Sequence, residues 1–191
     1  MADSVKAKCS NQPDEHLMMA LNKGDTDAFN ELYQRYQKRL LYYFYRMLGN
    51  SEEKARDFLQ DIFIKIIERP ELFDSSRRFS TWIFSVAHNM CKNEYRRMAV
   101  RNNLIHEDYF DHLADTAEPE ITDMQLTAEQ IFSLISDFEE SEKTAFLLYY
   151  REDFSLQEIG KVLSVPEGTV KSKLFYTRKK LLRILQTNES K

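Results

Sequence analysis

An all-α fold, with two helical domains joined by a flexible acidic linker, is predicted by three features of this 191-residue chain. Apolar residues recur at i, i+3 and i+4 through most of its length, the spacing that lines one face of a helix. No segment alternates with period two for long enough to make a strand. Glycine and proline number only four each, and most mark boundaries: Gly24 and Gly49 follow helical runs, Pro70 ends one and Pro119 lies in a polar stretch.

The elements follow in order. Residues 1–13 are polar and are expected to lie outside the fold. A short helix is predicted over 15–21, stopping at Gly24. Asp25, Thr26 and Asp27 offer N-cap chemistry for a long helix whose apolar face is Phe29, Leu32, Tyr33, Tyr36, Leu40, Phe44, Tyr45 and Leu48. Ser51 opens the next helix, with Glu52 and Glu53 at the positive end of its dipole. Ala55, Phe58, Leu59, Ile62, Phe63, Ile66 and Ile67 form its stripe, which ends before Pro70. A fourth helix is predicted over 80–97, burying Trp82, Ile83, Val86, Ala87 and Met90. These helices define an N-terminal domain over 14–100. Residues 101–125 read as linker; extended, about 25 residues span at most ~80 Å, enough to hold two domains two helical turns apart on DNA. A second domain over 126–186 begins with Leu126, Ile131, Leu134 and Ile135, continues through 144–150 and closes with a helix-turn-helix.

That closing stretch, SLQEIGKVLSVPEGTVKSKLFYTRKKLL over 155–182, is the most informative in the chain. Ser155 and Glu158 have the spacing of a capping box, and Leu156, Ile159, Val162 and Leu163 recur at helical intervals. Ser164-Val165-Pro166 breaks the run, and Pro166 suits the first turn of a second helix because its missing N–H is not needed there. In that helix Val170, Leu174, Thr177 and Leu181 are predicted to face inward. Lys171, Ser172, Phe175, Arg178 and Lys179 fall on the opposite face. A buried stripe backed by a Lys/Arg/Ser face suits a helix that reads the major groove; an αα-hairpin with a solvated basic face fits the same pattern.

The net charge of −4 is unevenly distributed. Residues 102–142 hold twelve Asp/Glu and no Lys or Arg, leaving 27 basic against 19 acidic residues elsewhere, a net of +8. The basic part has the footprint of a phosphate-binding surface, although an acidic linker between two mildly basic domains gives the same numbers. Cys9 and Cys91 are too far apart in sequence to form a disulfide framework. His88 and Cys91 fall on one helix face as half a metal site, but no second ligand pair accompanies them, which favours simple packing. With no secretory apolar segment and no run near eighteen apolar residues, a soluble cytoplasmic protein without intrinsic membrane association is expected.

A second constellation lies at FDSSRRFSTWIFSVAHNMCKNEYRRMAVR, residues 73–101. Arg77, Arg78, Lys92, Arg96, Arg97 and Arg101 outnumber Asp74 and Glu94, with Phe73, Phe79, Trp82, Phe84 and Tyr95 between them. Basic residues track phosphates and aromatic faces accept unstacked bases, a combination suited to single-stranded or opened DNA. Asn89 and Asn93, one turn apart, are placed to hydrogen-bond base edges. Most of these aromatics are also needed for a core.

In this order the motifs resemble an extracytoplasmic function (ECF) sigma factor, the small two-domain branch of the bacterial sigma-70 family. The likeness covers about residues 15–185: GDTDAFNELYQRYQKRLLYYFYRMLG, ARDFLQDIFIKII and FSTWIFSVAHNMCKNEYRR, then FSLQEIGKVLSVPEGTVKSKLFYTRKKL. The resemblance implies that 14–100 is sigma region 2 and 126–186 sigma region 4, with core RNA polymerase and promoter DNA as partners. It implies that Asp57, Gln60 and Asp61 bind the clamp helices of the polymerase β′ subunit, with the β subunit a further partner within core polymerase. It implies that Asn89 and Asn93, with Phe73 nearby, line a pocket for a flipped base of the −10 element, and that Arg96 and Arg97 hold phosphates. Lys171, Ser172 and Phe175 match −35-contacting positions, with Lys173 and Arg178 as phosphate contacts. Tyr176 stands where relatives often carry Arg, and lacks that residue's bidentate guanine contact, so the family's −35 preference does not transfer. Ser164 stands where the turn is often Gly. The acids Glu107, Asp108, Asp111 and Asp115 either mimic nucleic acid in the polymerase cleft or belong to a passive spacer. Control by an anti-sigma factor, often membrane-bound in the family, is also implied.

Magnitudes bound the melting step. Stacking on an aromatic contributes ~1–3 kcal/mol per base, whereas opening some ten pairs costs on the order of 14 kcal/mol at ~1.4 kcal/mol per step. Melting is therefore expected only together with polymerase. The rival reading is a conventional helix-turn-helix regulator that never joins polymerase; it gives no role to the DFLQD face or the Asn89/Asn93 segment. An enzyme is not expected: there is no Gly-rich phosphate loop, nucleophile motif, catalytic residue set, metal cluster or cofactor signature.

Overall fold

The computed structural model describes residues 12–101 and 128–189, which form eight α-helices and one 3₁₀ turn, with no strand among the described residues. The first four helices are α1 (Asp14–Leu21), α2 (Thr26–Met47), α3 (Glu52–Glu68) and α4 (Phe79–Arg101), with the 3₁₀ turn Pro70–Leu72 between the last two. Asp25 caps α2, its Oδ1 accepting from the N–H groups of Asp27 at 2.9 Å and Ala28 at 3.3 Å. Ser51 caps α3 by accepting from the Lys54 N–H. Between them, Gly49 at φ +71° takes the left-handed position that ends α2, and the Asn50 N–H reaches back to the Tyr45 carbonyl at 2.9 Å, the closing bond of a Schellman motif. Helix α4 starts one residue earlier and runs four residues further than the apolar pattern indicates, since nothing from Met98 to Arg101 breaks a helix.

The core of these helices is Leu17, Leu32, Leu40, Phe44, Ala55, Ile62, Ile66, Phe79, Ile83, Phe84 and Ala87, all buried. Edge-to-face pairs join Tyr36 to Phe79 and Tyr43 to Phe84, locking α4 against α2. Ile67 departs from the expected stripe of α3 and is 48% exposed.

The remaining helices are α5 (Ala128–Leu134), α6 (Glu140–Tyr150), α7 (Leu156–Leu163) and α8 (Glu167–Glu189). Helix α6 begins four residues before the predicted Thr144 because Glu139 and Glu142 form a capping box. Ser155 and Glu158 form the expected one at α7. The inward stripe of α8 is as predicted: Val170, Leu174, Thr177 and Leu181 are all buried, against Phe146, Leu147, Ile159 and Val162. Pro166 lies immediately before α8, where its carbonyl accepts from the Thr169 and Val170 N–H groups.

Packing divides the chain into two compact units, Met1–Asn89 and Met90–Lys191. The division falls inside α4, whereas the sequence places its boundary at 101–125. Within the second unit the Lys143 Nζ donates to the Tyr95 hydroxyl at 2.6 Å and to the Ser136 carbonyl at 3.1 Å. The linker acids Glu107, Asp108, Asp111 and Asp115 lie outside the described residues.

The turn between α7 and α8 contains two opposed constraints. A Cβ on Gly160 would meet the Val165 carbonyl oxygen at 2.8 Å, so only glycine lets the turn close onto α7. Ser164 ends α7 at φ +58°, a left-handed conformation that costs an L-residue roughly 1–2 kcal/mol. Gly160→Ala should destabilise the second unit by about 1–3 kcal/mol, the scale of overpacking. Ser164→Gly should instead stabilise it by roughly 0.5–1 kcal/mol, after the entropy of glycine in the unfolded chain is subtracted. Thermal melts of the two variants give opposite signs on this account.

Candidate nucleic-acid interface

Helix α3 presents Asp57, Gln60 and Asp61 to solvent on one face. Ile64, 40% exposed, continues that face one turn on, and Ile67 lies beside it. The sequence stripe placed Ile67 on the packed side and left Ile64 out. Its only signal was an apolar arc wider than one packed helix face needs.

Asn89, Asn93, Arg96 and Arg97 are all exposed and share one face of α4. The opposite face, Phe84, Ala87, His88 and Cys91, is buried. Arg97 is only loosely held by Glu94, at 3.9 Å, with three-quarters of its side chain in solvent. Phe73 is placed differently from the sequence expectation: it is 8% exposed, edge-on to Phe79 at 5.5 Å and to Trp82 at 5.3 Å. Its ring packs into an aromatic corner in the loop before α4. Trp82, half-buried, belongs to the same aromatic corner. In that loop Asp74 accepts from the Ser76 N–H at 3.0 Å and hydroxyl at 2.7 Å, which holds its carboxyl below the usual range.

On α8, Lys171 and Ser172 are exposed, and the Ser172 hydroxyl donates to the Gly168 carbonyl at 3.0 Å. Phe175 and Tyr176 are half-buried with their rings edge-on, and the half-buried Arg178 Nε donates weakly to the Leu174 carbonyl. Lys173 leaves this group. Its side chain is 12% exposed, and its Nζ donates to the Ser141 hydroxyl at 2.7 Å and lies 3.8 Å from Glu139. Position 173 is three residues from Val170 and four from Thr177, both buried, so it flanks the inner stripe. It therefore ties α8 to the start of α6 rather than offering an amine to phosphate.

The second unit also buries titratable groups, Glu140 among them within reach of the charges of Lys92 and Arg96. Burial pushes the Glu140 carboxyl up and the Lys143 amine down, and raises the Cys91 thiol far above its ordinary range. His88 and Cys91 are packed side chains, and no group of three or more His, Cys, Asp or Glu suited to a metal occurs among the described residues.

Comparison with known proteins identifies both parts of the chain. A family model described as Sigma-70 region 2 matches residues 32–101, and one described as Sigma-70, region 4 matches 128–181. The ECF RNA polymerase sigma factor SigW of Bacillus subtilis is 32% identical over 176 residues, covering 87% of this chain and 93% of that protein. The ECF RNA polymerase sigma-E factor of Haemophilus influenzae is 30% identical over 182 residues, covering 91% and 95%. CnrH, solved in complex with the cytosolic domain of CnrY, shares the fold at a TM-score of 0.67 and 22% identity, covering 91% of this chain and 97% of that one.

The two lysines of α8 should separate experimentally. Lys171→Ala should weaken duplex binding and flatten the plot of log affinity against log salt by about 0.9, the loss of one neutralised phosphate. Lys173→Ala should leave that slope unchanged and lower thermal stability. Fluorescence anisotropy across a salt series measures both; a flatter slope in Lys173→Ala would contradict the assignment.

Proposed function

Because the chain belongs to the sigma-70 family, as an ECF RNA polymerase sigma factor, we propose a division of labour among its three exposed faces. A protein of this kind binds core RNA polymerase and brings it to promoters through −35 and −10 elements; its work is binding rather than catalysis. Residues 14–100 act as region 2 and 126–186 as region 4, with 101–125 as the tether.

The Asp57, Gln60 and Asp61 face of α3 docks on the β′ clamp helices. Ile64 adds an apolar contact beside three polar ones, the pattern of an interface with a desolvated centre and a charged rim; the acids contribute mainly register and association rate. Asn89 and Asn93 read the displaced −10 strand, and Arg96 and Arg97 hold its phosphates. Lys171, Ser172, Phe175 and Tyr176 read the −35 duplex, with Arg178 near the backbone. The observation that carries this reading is that a helix buried along one side leaves both asparagines and both arginines together on the other.

No helix among the described residues is long and apolar enough to cross a membrane, and action in the cytoplasm, beside polymerase, follows from the partner. An anti-sigma factor is a further proposed partner, by analogy with the complex of the sigma factor RpoE and the anti-sigma factor NepR from Bartonella quintana.

Run-off transcription with purified protein, core polymerase and a promoter library tests the function. Selected templates should share paired −35 and −10 elements, and transcripts should depend on this protein. No transcript from any template would favour a helix-turn-helix regulator that acts without polymerase. In a pull-down titration, Asp61→Ala or Gln60→Ala should weaken core binding about tenfold, ~1.4 kcal/mol, with an unchanged melt; unaltered affinity would count against the α3 face.

A further inference from the structure

Helix α4 begins at Phe79, where the N–H groups of a first turn need acceptors from outside the helix. The residue before it, Arg78, has no side-chain acceptor, and its first turn contains no acid. Orphan N–H groups and the positive end of a 23-residue helix are left there. The acceptor comes from far upstream: the Phe79 N–H donates to Glu15 Oε1 at 2.9 Å, across 64 residues of sequence.

Glu15 is held firmly enough to serve. It lies in the first turn of α1, whose Leu17, Met18 and Leu21 are buried. The adjacent Asp14 accepts from the Arg35 Nη1 at 2.6 Å and from the Tyr36 hydroxyl. Arg35 also bonds the Gln12 carbonyl at 2.8 Å and Glu31 at 2.8 Å. Phe79, which Glu15 caps, is fully buried and meets Tyr36, Phe73 and Trp82. One short helix thus ties α2 to the start of α4 and to the aromatic corner before it. Residues 14–21 lie upstream of the stretch 32–101 that the region 2 family model matches.

We propose that Glu15 is a positioning residue for −10 recognition, capping the reading helix from α1 and setting the angle at which Asn89 and Asn93 meet the strand. This deepens the −10 assignment made above and rests on it. At 1.5 Å per residue, Asn89 lies about 15 Å along α4 from the capped end. A tilt of roughly 5° there displaces it by about 1.3 Å, beyond the ~0.5 Å tolerance of a preorganised site.

The test uses full-length protein in holoenzyme. Its probes are a single-stranded oligonucleotide carrying the −10 element recovered by run-off selection, the same strand with its flipped base replaced, and a −35 duplex. Glu15→Ala should reduce −10 strand affinity about tenfold, the scale of a lost helix cap, and should shrink discrimination against the replaced base. The −35 affinity should not change. Glu15→Gln, which keeps a carbonyl acceptor for the Phe79 N–H, should restore both −10 readouts to within about twofold of the parent. Equal loss in Glu15→Ala and Glu15→Gln, or parent-like discrimination in Glu15→Ala, overturns the proposal. Asn93→Ala distinguishes the two levels. If it weakens −10 binding while Glu15→Ala does not, the −10 assignment stands and the role of Glu15 falls; if neither weakens it, both fall.

Discussion

The packing of Phe79 and Phe84 on Tyr36 and Tyr43 of α2, with Ile83 and Ala87 buried on the same helix, is the interaction on which the placement of α4 depends. Each large apolar side chain taken fully out of water contributes roughly 1.5–3 kcal/mol, so this seam alone is comparable to the net stability of a small domain, about 5–15 kcal/mol. It also fixes the rotation of α4. Once one side of a helix is committed to a core, the residues about 180° away have only solvent or a partner to face. Asn89, Asn93 and Arg96 lie on that far side, and the exposed Arg97 borders them a turn beyond the seam. Their co-location is thus a consequence of packing, available to function without further cost in folding.

The second unit reaches a similar result through its turn. Gly160 admits the Val165 carbonyl, Ser164 accepts a left-handed backbone, and together they set α8 across α7. Val170, Leu174, Thr177 and Leu181 then anchor α8, and Lys171 and Ser172 are left outside. On both helices the proposed recognition face is the remainder of a helix whose other side makes the core. Along the sequence the charge is segregated in the same sense: residues 102–142 hold twelve acids and no Lys or Arg, and the rest of the chain is net basic.

Much of this was legible in the sequence because it is local or periodic. The caps at Asp25, Ser51 and Ser155, the stripes of α2 and α8 and the helix-turn-helix all follow from spacing within one or two turns. What escaped the sequence is non-local. Lys173 looks like a basic residue on a basic helix until the start of α6 is placed over it, where Ser141 and Glu139 take its amine. Phe73 reads as a candidate base stacker, but Phe79 and Trp82 enclose it. Ile64 and Ile67 extend an apolar run past the packed arc, and hydropathy does not say which members of the run stay outside. Glu15 is the extreme case, since no local pattern links it to a helix that starts 64 residues later.

The central claim is that one chain reads two separate promoter segments, the −10 strand with α4 and the −35 duplex with α8. Site-specific photocrosslinking in the holoenzyme tests it directly, with a photoreactive residue placed at Asn93 in one sample and at Ser172 in another. The account predicts that the probe at 93 labels the non-template strand within the −10 element and the probe at 172 labels the −35 duplex, each without labelling the other. Labelling of the same segment from both positions, or of DNA from 172 alone, would contradict it.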